Sequence, residues 1–241
     1  MLLQAALNGS RQRGEHLALP VSPPELALDA YQAVVAGAGA VHVHPRQADG
    51  TETLEPGSCA LAVAAIRRVV PGTPVGLTTG AWIEPDPDRR RWLVERWEKV
   101  PDYASVNVAE DGWEAVAEAV LARGIAVEAG LTSVLDAESL AASALGERCL
   151  RTLVEVAQPD PTEAAAAAAD IDATLDAAGL TPPRLHHGEG PATWAVLEAA
   201  AARGRDIRVG LEDTLVLPDG RTARDNAELV RAAVRLAEAA P

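Results

Sequence analysis

Two histidines separated by one residue are the clearest chemical feature of this sequence. They lie in the segment Ala40 to His44, whose short apolar run predicts a β-strand. Side chains alternate across a strand, so the imidazoles of His42 and His44 are expected on one face, and Val41 and Val43 on the other. Two imidazoles that converge at an accessible strand end make half of a catalytic zinc site. Two hydrogen-bonded structural histidines are the alternative interpretation.

A third metal ligand is expected from the last predicted strand, Ile207 to Glu212. By the same alternation, Arg208, Gly210 and Glu212 share one face of that strand, which would let the carboxylate reach the histidines. Two histidines and one glutamate with an open position form a catalytic zinc pattern, whereas structural zinc sites are closed and often rich in cysteine. A simple ion pair between Glu212 and Arg208 is the other interpretation.

Short apolar segments alternate with longer helical patterns along the whole chain. The predicted strands are Leu2 to Leu7, Ala40 to His44, Val75 to Thr79, Ala104 to Val108, Ala126 to Leu131, Thr152 to Val156, Arg184 to His187 and Ile207 to Glu212. Strict alternation indicates a parallel sheet, because each parallel connection needs a crossover. Eight such units in 241 residues favour a closed (β/α)₈ TIM barrel, forming a single catalytic domain over residues 1–241. A doubly wound open sheet is the alternative, but Asn8-Gly9-Ser10-Arg11 after the first strand lacks the GxGxxG nucleotide pattern.

Polar side chains occur at nearly every predicted strand exit, where barrel enzymes place their active residues. They are Asn8, His42, His44, Thr78, Thr79, Ser105, Asn107, Glu128, His186, His187, Glu212 and Asp213. This clustering indicates an enzyme. Only one of the adjacent histidines His186 and His187 can face the barrel axis, so a substrate-contacting loop with Glu189 and a purely structural pair both remain open.

The first helix is marked by Ser22-Pro23-Pro24-Glu25, which combines a capping box with proline in the first turn. Helical spacing then predicts one apolar face for this helix. Its members are Ala27, Ala30, Tyr31, Val34, Val35 and Ala38.

Composition excludes several classes of protein. The formal net charge of −14 would repel a phosphate backbone, so no nucleic-acid partner is expected, although net charge does not describe the charge of a single cleft. No apolar run is long enough for a membrane span, and the first residues lack the basic start of a signal peptide, so a cytoplasmic location is expected. Two cysteines suggest a reducing compartment without a disulfide framework. Lys99, the only lysine, lies in a charged helical stretch, which argues against Schiff-base catalysis.

Several motifs together resemble the β-keto acid cleavage enzymes, which include the 3-keto-5-aminohexanoate cleavage enzyme. The resemblance spans nearly the whole chain in the right order, and HxHxR together with RVGLED at opposite ends makes it specific. The matching segments are Ala6-Leu7-Asn8-Gly9, Pro20-Val21-Ser22-Pro23-Pro24-Glu25, His42-Val43-His44-Pro45-Arg46, Thr78-Thr79-Gly80, Ser105-Val106-Asn107, Arg208-Val209-Gly210-Leu211-Glu212-Asp213 and Asp225-Asn226-Ala227-Glu228-Leu229-Val230.

The resemblance implies a zinc-bound TIM barrel that is a homo-oligomer, a dimer or a tetramer. Its reaction would condense a β-keto acid with acetyl-CoA and cleave the adduct to acetoacetate and a new acyl-CoA. The implied site residues are His42, His44 and Glu212 for zinc, Thr78, Ser105 and Asn107 for the keto acid's carboxylate end, Glu128 as a polar active-site residue, and Arg208 with Asp213 as the dyad that removes the α-proton. An arginine is too basic to accept a proton by itself, so Asp213 is the expected acceptor and Arg208 the orienting group.

Three departures from the family pattern affect the substrate. The chain is short for the family, so loops that shape the pocket or contact CoA are expected to be reduced. Arg11 stands where members acting on amino-bearing substrates carry an acid, which predicts a substrate tail without an amino group. The segment around Glu128 lacks the family's usual proline and second acid.

Arg221 and Arg224 could meet phosphates or lie solvated on the surface.

Other functions remain open at this point. The alternatives are a metal-binding TIM-barrel relative that acts as another carbon–carbon lyase or hydrolase, and a barrel that binds metal or ligand without catalysis. An amidohydrolase-type barrel usually carries HxH on its first strand and often a carboxylated lysine; here HxH is on the second strand, and no suitable lysine exists. The sequence identifies neither the β-keto acid nor the strength of CoA binding.

Overall fold

A computed structural model describes residues 1–240, in which eight parallel strands close into a barrel. Strand β1 (Leu3–Ala6) pairs with both β2 (Ala40–Val43) and β8 (Asp206–Val209), which closes the sheet. The other strands are β3 (Val75–Thr78), β4 (Tyr103–Asn107), β5 (Ala126–Leu131), β6 (Arg151–Val156) and β7 (Arg184–Gly188). The predicted (β/α)₈ barrel is confirmed, and the assignment of residues 1–241 to one catalytic domain stays a prediction.

Each strand is followed by a helix in the outer layer. The helices are α1 (Pro23–Val35), α2 (Pro56–Val69), α3 (Pro87–Val94), α4 (Trp113–Ala122), α5 (Val134–Ala142), α6 (Pro161–Ala177), α7 (Thr193–Ala202) and α8 (Asn226–Ala239). Val41 and Val43 belong to the same buried apolar cluster as residues of α1 and α2, as the alternation on β2 predicts. Among the described helices, none has both the length and the apolar character needed to cross a bilayer.

Helix α1 begins as predicted but buries a different face. Both hydrogen bonds of the capping box at Ser22 and Glu25 are present. However, Tyr31 is 49% and Val35 69% exposed, so the predicted apolar face is wrong at these two positions. The helix packs against both α2 and α8, so its buried face is rotated relative to the predicted apolar face. The buried residues are Leu26, Ala27, Asp29, Ala30 and Ala33.

The last strand is shorter than predicted, because β8 ends at Val209 and the chain then turns. A Cβ on Gly210 would lie only 1.8 Å from the carbonyl oxygen of Ala6, so only glycine lets the chain pass this close to β1. The backbone amides of Asp213 and Thr214 then bond to the Gly210 carbonyl and form a turn. Strand alternation therefore does not carry Glu212 to the barrel mouth, and this part of the prediction is wrong.

A buried side chain of α8 fastens the first and last strand exits together. The Asn226 amide donates to the Leu7 carbonyl over 2.8 Å and to the Asp29 carboxyl over 2.6 Å, and its oxygen accepts from the Leu211 amide over 2.7 Å. One asparagine thus joins the exits of β1 and β8 to helix α1. Burial, together with the nearby Asp225, raises the pKa of Asp29 to about 7, although the hydrogen bond from Asn226 opposes this shift.

This raised pKa predicts a measurable dependence of stability on pH. The folded protein holds a proton on Asp29 that the unfolded chain releases near pH 4, so this contribution is complete below that pH and is lost as pH rises through about 7. The contribution of Asp29 to the free energy of unfolding should fall over this window by at most about 1.4 kcal/mol per pH unit. Asp29→Asn keeps the hydrogen-bond acceptor and should remove this contribution, so the variant should gain stability relative to wild type as pH rises and be the more stable protein at pH 8.

Urea unfolding from pH 4 to pH 8 would measure the effect, with the exposed Asp170 of α6 as the site of a matched Asp→Asn control. Parallel stability profiles for wild type and Asp29→Asn would contradict the prediction.

Candidate metal and active site

A cavity of about 820 Å³ opens where the strands end, at the predicted end of the barrel. All the predicted site residues lie among the described residues, and of them Glu128 alone stands away from the cavity wall, buried beneath it. The predicted residues that line the cavity are Arg11, His42, His44, Thr78, Ser105, Asn107, Arg208, Glu212 and Asp213.

The structure brings His42, His44 and Glu212 together at this cavity. The two Nε2 atoms are 3.1 Å apart, and the carboxylate oxygens of Glu212 lie 3.3 Å from His44 Nε2 and 3.9 Å from His42 Nε2. One ligand atom from each residue lies within 4.8 Å of those of the other two, a spacing that suits a metal ion. Glu212 Oε2 is buried and has no hydrogen-bond partner among the described residues, so it is an anionic oxygen left free for a cation.

The backbone of His44 is held by the side-chain amide of Asn8, which makes the hydrogen bonds that a neighbouring strand would make. Strand β2 ends at Val43, but the Asn8 side chain accepts from the His44 backbone N–H and donates to the His44 carbonyl, both over 2.9 Å. The pairing of β1 with β2 is thereby extended by one residue beyond the backbone ladder. The second imidazole is thus held on the same face as the first.

Burial and the neighbouring charges shift the pKa values of His42, His44 and Glu212, and the direction differs between the two histidines. Burial lowers the pKa of His42 to about 4. Burial alone would also lower the pKa of His44, but the Glu212 and Glu52 carboxylates raise it to about 9. Burial alone would raise the pKa of Glu212, yet Arg208 and the two imidazoles hold it well below its usual range. The site therefore presents an ionised carboxylate beside a neutral His42 and a protonated His44, and these three side chains become the donor set of a catalytic zinc centre once His44 gives up its proton.

Arg208 and Asp213 form a buried pair next to this cluster. Arg208 Nη2 donates to Asp213 Oδ1 over 2.9 Å and also donates to Glu212 Oε1. His187 Nδ1 lies 3.2 Å from the same Asp213 oxygen, and His187 Nε2 lies 3.0 Å from Glu155. Asp213 Oδ2 has no hydrogen-bond partner among the described residues. One oxygen of Asp213 is thus held by cations, and the other is buried without a protein partner.

The cationic neighbours of Asp213 stay charged near neutral pH. Burial alone would lower the pKa of Arg208, but Asp213 and Glu212 raise it well above its usual range. Burial and Arg208 alone would lower the pKa of His187, but Asp213 and Glu155 raise it to about 9. Asp213, rather than Arg208, is therefore the group able to accept a proton.

The predicted substrate residues differ in whether their side-chain hydrogen-bond donors are already used within the protein. Thr78 Oγ1 accepts from the Gly80 amide over 3.1 Å, so its hydroxyl proton remains available. Ser105 donates its proton to Glu128 over 2.7 Å, and the Asn107 amide donates to Glu110 over 2.9 Å. Arg11, at the cavity wall, donates to the Leu211 carbonyl over 2.5 Å, and the carboxylate of Glu15 lies 3.3 Å from it.

Sequence reasoning missed several residues of the site. Glu52 and Trp82, which contact His44, lie in irregular loops that no pattern marks. The sequence does not decide between His186 and His187; in the structure His187 lies beside Asp213, whereas His186 lies 3.2 Å from Asp172 of helix α6. Strand alternation, which lets only one of these two histidines face the barrel axis, is the sequence signal that could have identified His187. The surface arginines Arg221 and Arg224 pair with Asp219 and Glu228 outside the cavity.

Gly9 provides a test of the Glu212 position. A Cβ on Gly9 would lie 2.4 Å from Glu212 Cγ, whereas one on Gly204 would meet open space, and both glycines have positive φ, 55° and 68°. Alanine should therefore cost about 1 kcal/mol of stability at either position. Gly9→Ala alone should displace Glu212 and weaken binding of zinc, the metal predicted from the sequence, about tenfold or more. Chelator competition would measure the affinity, and equal affinities for the two variants would contradict this placement.

Comparison with solved structures places the fold among known barrels. The apo structure of ObcA matches with a TM-score of 0.75 at 18% identity, covering 92% of this chain and 63% of that chain. A ternary complex of ObcA with a C4-CoA adduct and oxalate matches with a TM-score of 0.74 at 18% identity, covering 90% and 63%. Thiamine phosphate pyrophosphorylase from Pyrococcus furiosus matches with a TM-score of 0.60 at 11% identity, covering 98% and 95%. This chain spans less than two thirds of the length of the ObcA chains, and at these identities the likeness shows the fold alone.

The sequence itself identifies the family. The family model described as BKACE, beta-keto acid cleavage enzyme, matches residues 1–170 and 164–241, which together cover the chain. The predicted resemblance is confirmed. With two imidazoles, a glutamate and an Arg–Asp pair gathered at the mouth of its barrel, this chain belongs to the β-keto acid cleavage enzyme family.

Proposed function

We propose that this protein is a zinc-dependent β-keto acid cleavage enzyme. It condenses a β-keto acid with acetyl-CoA and cleaves the adduct to acetoacetate and an acyl-CoA. Family membership supports the reaction class. The observation that carries the proposal is that a three-residue donor set and an aspartate with one free oxygen, Asp213, line the same cavity.

The residues present fit a zinc ion. His42 Nε2, His44 Nε2 and a Glu212 oxygen would hold it, and the unpartnered Oε2 of Glu212 is the oxygen that Arg208 does not occupy. A bound zinc ion would polarise the keto oxygen of the substrate as a Lewis acid. The cavity leaves room for that substrate on the open side of the three residues.

Asp213 is the proposed base for the α-proton of the β-keto acid. Its Oδ1 is engaged by Arg208 and lies beside His187, so the carboxylate cannot rotate freely, and Oδ2 is the atom that accepts the proton. Arg208 remains a cation throughout and orients this carboxylate together with that of Glu212. His187, supported by Glu155, orients it from the other side.

The substrate's own carboxylate is proposed to lie against Thr78, Ser105 and Asn107. Thr78 has the free hydroxyl proton among them and makes the most direct contact with an anionic oxygen. Glu128 lies behind Ser105, so its predicted catalytic part would be exerted through that hydroxyl.

The proposed partners are a small β-keto acid and acetyl-CoA, with zinc as cofactor. ObcA has been solved with oxaloacetate and, separately, with a C4-CoA adduct and oxalate, which supports a keto acid and a CoA thioester here. A homodimer or homotetramer and a cytoplasmic location are further proposals from the sequence.

A non-catalytic metal binder and another carbon–carbon lyase or hydrolase are the competing functions. A panel of β-keto acids assayed with the zinc-loaded protein, with and without acetyl-CoA, would separate them. The proposed reaction releases acetoacetate only when acetyl-CoA is present. Cleavage without acetyl-CoA would favour another lyase, and silence across the panel with zinc bound would favour a binder.

Replacement of the proposed base should stop turnover without removing the metal. Asp213→Asn keeps the shape of the side chain but cannot accept the proton, so kcat should fall about 10² to 10⁴-fold with little change in KM. Zinc content, measured on the purified variant, should match wild type. Glu212→Ala is the complementary variant and should lose zinc. Unchanged kcat in Asp213→Asn would exclude this aspartate as the base.

The charge at Arg11 should select the substrate tail. The guanidinium lies at the cavity wall 3.3 Å from Glu15, which lines the same cavity, and a cation at this position disfavours an ammonium on the substrate. Wild type should therefore prefer β-keto acids with a carboxylate or neutral polar tail over amino analogues. Arg11→Glu should reverse the order of kcat/KM, and Arg13→Glu, which alters an arginine that pairs with Glu25 outside the cavity, serves as the control. A wild-type preference for the amino compound would refute the assignment.

A further inference from the structure

The two histidines of the site are supported from behind by different groups. His44 Nδ1 lies 2.6 Å from Glu52 Oε1, and His42 Nδ1 lies 3.3 Å from Ser105 Oγ. Both contacts are made by the ring nitrogen that points away from the shared Nε2 cluster. The type of hydrogen bond at this second nitrogen decides which ring nitrogen keeps its lone pair for a metal.

Glu52 reaches His44 because the chain folds back after β2. The Gln47 amide bonds to the Thr51 carbonyl, and a short antiparallel bridge joins Arg46 to Glu52, so the loop returns to the strand exit. The Trp82 indole donates to the same Glu52 oxygen over 3.3 Å, and its ring stacks near His44, with centroids 6.0 Å apart. An ionised carboxylate at this position can only accept, so it selects His44 with its proton on Nδ1.

The support behind His42 is a buried relay. Ser105 donates its proton to Glu128 Oε1 over 2.7 Å, which leaves lone pairs on Ser105 Oγ to accept from His42 Nδ1. The Gln4 amide and Arg151 hold Glu128 Oε2, and Arg151 keeps the pKa of the buried carboxyl below its usual range although burial alone would raise it. Because the Glu128 carboxylate is ionised and fixed, the Ser105 hydroxyl donates its proton to Glu128. Its oxygen then accepts from His42, so His42 also keeps its proton on Nδ1.

We infer that Glu52 and the Ser105–Glu128 pair are positioning residues that set both imidazoles in the Nδ1-protonated form, so that both Nε2 lone pairs face one cation. At 3.1 Å apart, two such lone pairs would repel each other unless a proton on His44 or a metal ion lies between the two nitrogens. The inference rests on the proposed metal site and extends it to residues behind the ligands. Ser105 and Glu128, predicted from the sequence for substrate and catalysis, then act on the metal through His42.

Glu52→Gln tests the support of His44. The amide removes the negative charge and can offer either a donor or an acceptor, so it no longer selects one form of the ring. Zinc affinity, measured by competition with a chromophoric chelator, should fall about 10- to 100-fold. Glu55→Gln is the matched control, because Glu55 pairs with Arg89 on the surface, and its affinity should equal that of wild type.

Ser105→Ala tests the support of His42. It breaks the relay while leaving the pair of Glu128 and Arg151 intact, which Glu128→Gln would disrupt by leaving a buried guanidinium without its partner. The expected loss of zinc affinity is again about 10- to 100-fold. Ser58→Ala on helix α2 is the matched control. Thermal unfolding and far-UV circular dichroism verify that each variant is folded.

A measurement on the wild-type protein keeps the inference open to refutation even if a variant fails to fold. Long-range ¹H–¹⁵N spectra of the zinc-loaded protein, labelled at its five histidines, report which ring nitrogen carries the proton. Two metal-bound rings with protonated Nδ1 are expected. Coordination through Nδ1, or wild-type affinity in both folded variants, would overturn the inference while leaving the proposed function standing. Failure of the wild-type protein to bind zinc would overturn the metal site itself.

Discussion

The arrangement of this site depends on one buried guanidinium. Arg208 is only 3% exposed and donates to two successive acidic residues, Glu212 and Asp213. Without it, two largely buried carboxylates would stand side by side with only histidines to offset their charges, which disfavours ionisation of both. Because Arg208 engages one oxygen of each, it leaves Glu212 Oε2 and Asp213 Oδ2 without partners among the described residues. One cation thus leaves an oxygen free on each of two neighbouring acids, which the proposed function assigns to metal binding and to proton transfer.

Rigid backbone contacts keep these side chains where Arg208 can act on them. The Asn8 amide prolongs the ladder between β1 and β2 to hold His44, and Gly210 lets the chain turn against the carbonyl of Ala6. The Asn226 side chain then ties this turn to the exit of β1. Each contact fixes main chain rather than a side-chain rotamer, so the site is organised before any ligand arrives.

The fold and the core of the site could be predicted from the sequence because they depend on local periodicity. Alternation along β2 predicts His42 and His44 on one face, and the polar strand exits predict the end of the barrel at which the cavity opens. The same rule gave the wrong route for Glu212, since a close backbone approach at Gly210 ends β8 early, and no side-chain pattern records such an approach. Glu52 and Trp82 could not be predicted, because they contact His44 from irregular loops that have no periodic pattern. The burial of Asp29 depends on Asn226, 197 residues away, which no local pattern encodes.

The pairing of β1 with β8 has a consequence for how the proposed metal would be acquired. The two histidines follow β1 closely in the chain, but Glu212 arrives only when the last strand joins the first, and the fastening contact from Asn226 to Leu7 spans 219 residues. An incomplete barrel would hold an imidazole pair without the carboxylate and would have little hold on a cation. Closure of the ring of strands and capture of the proposed ion would therefore be coupled steps, and a bound metal would stabilise the folded state.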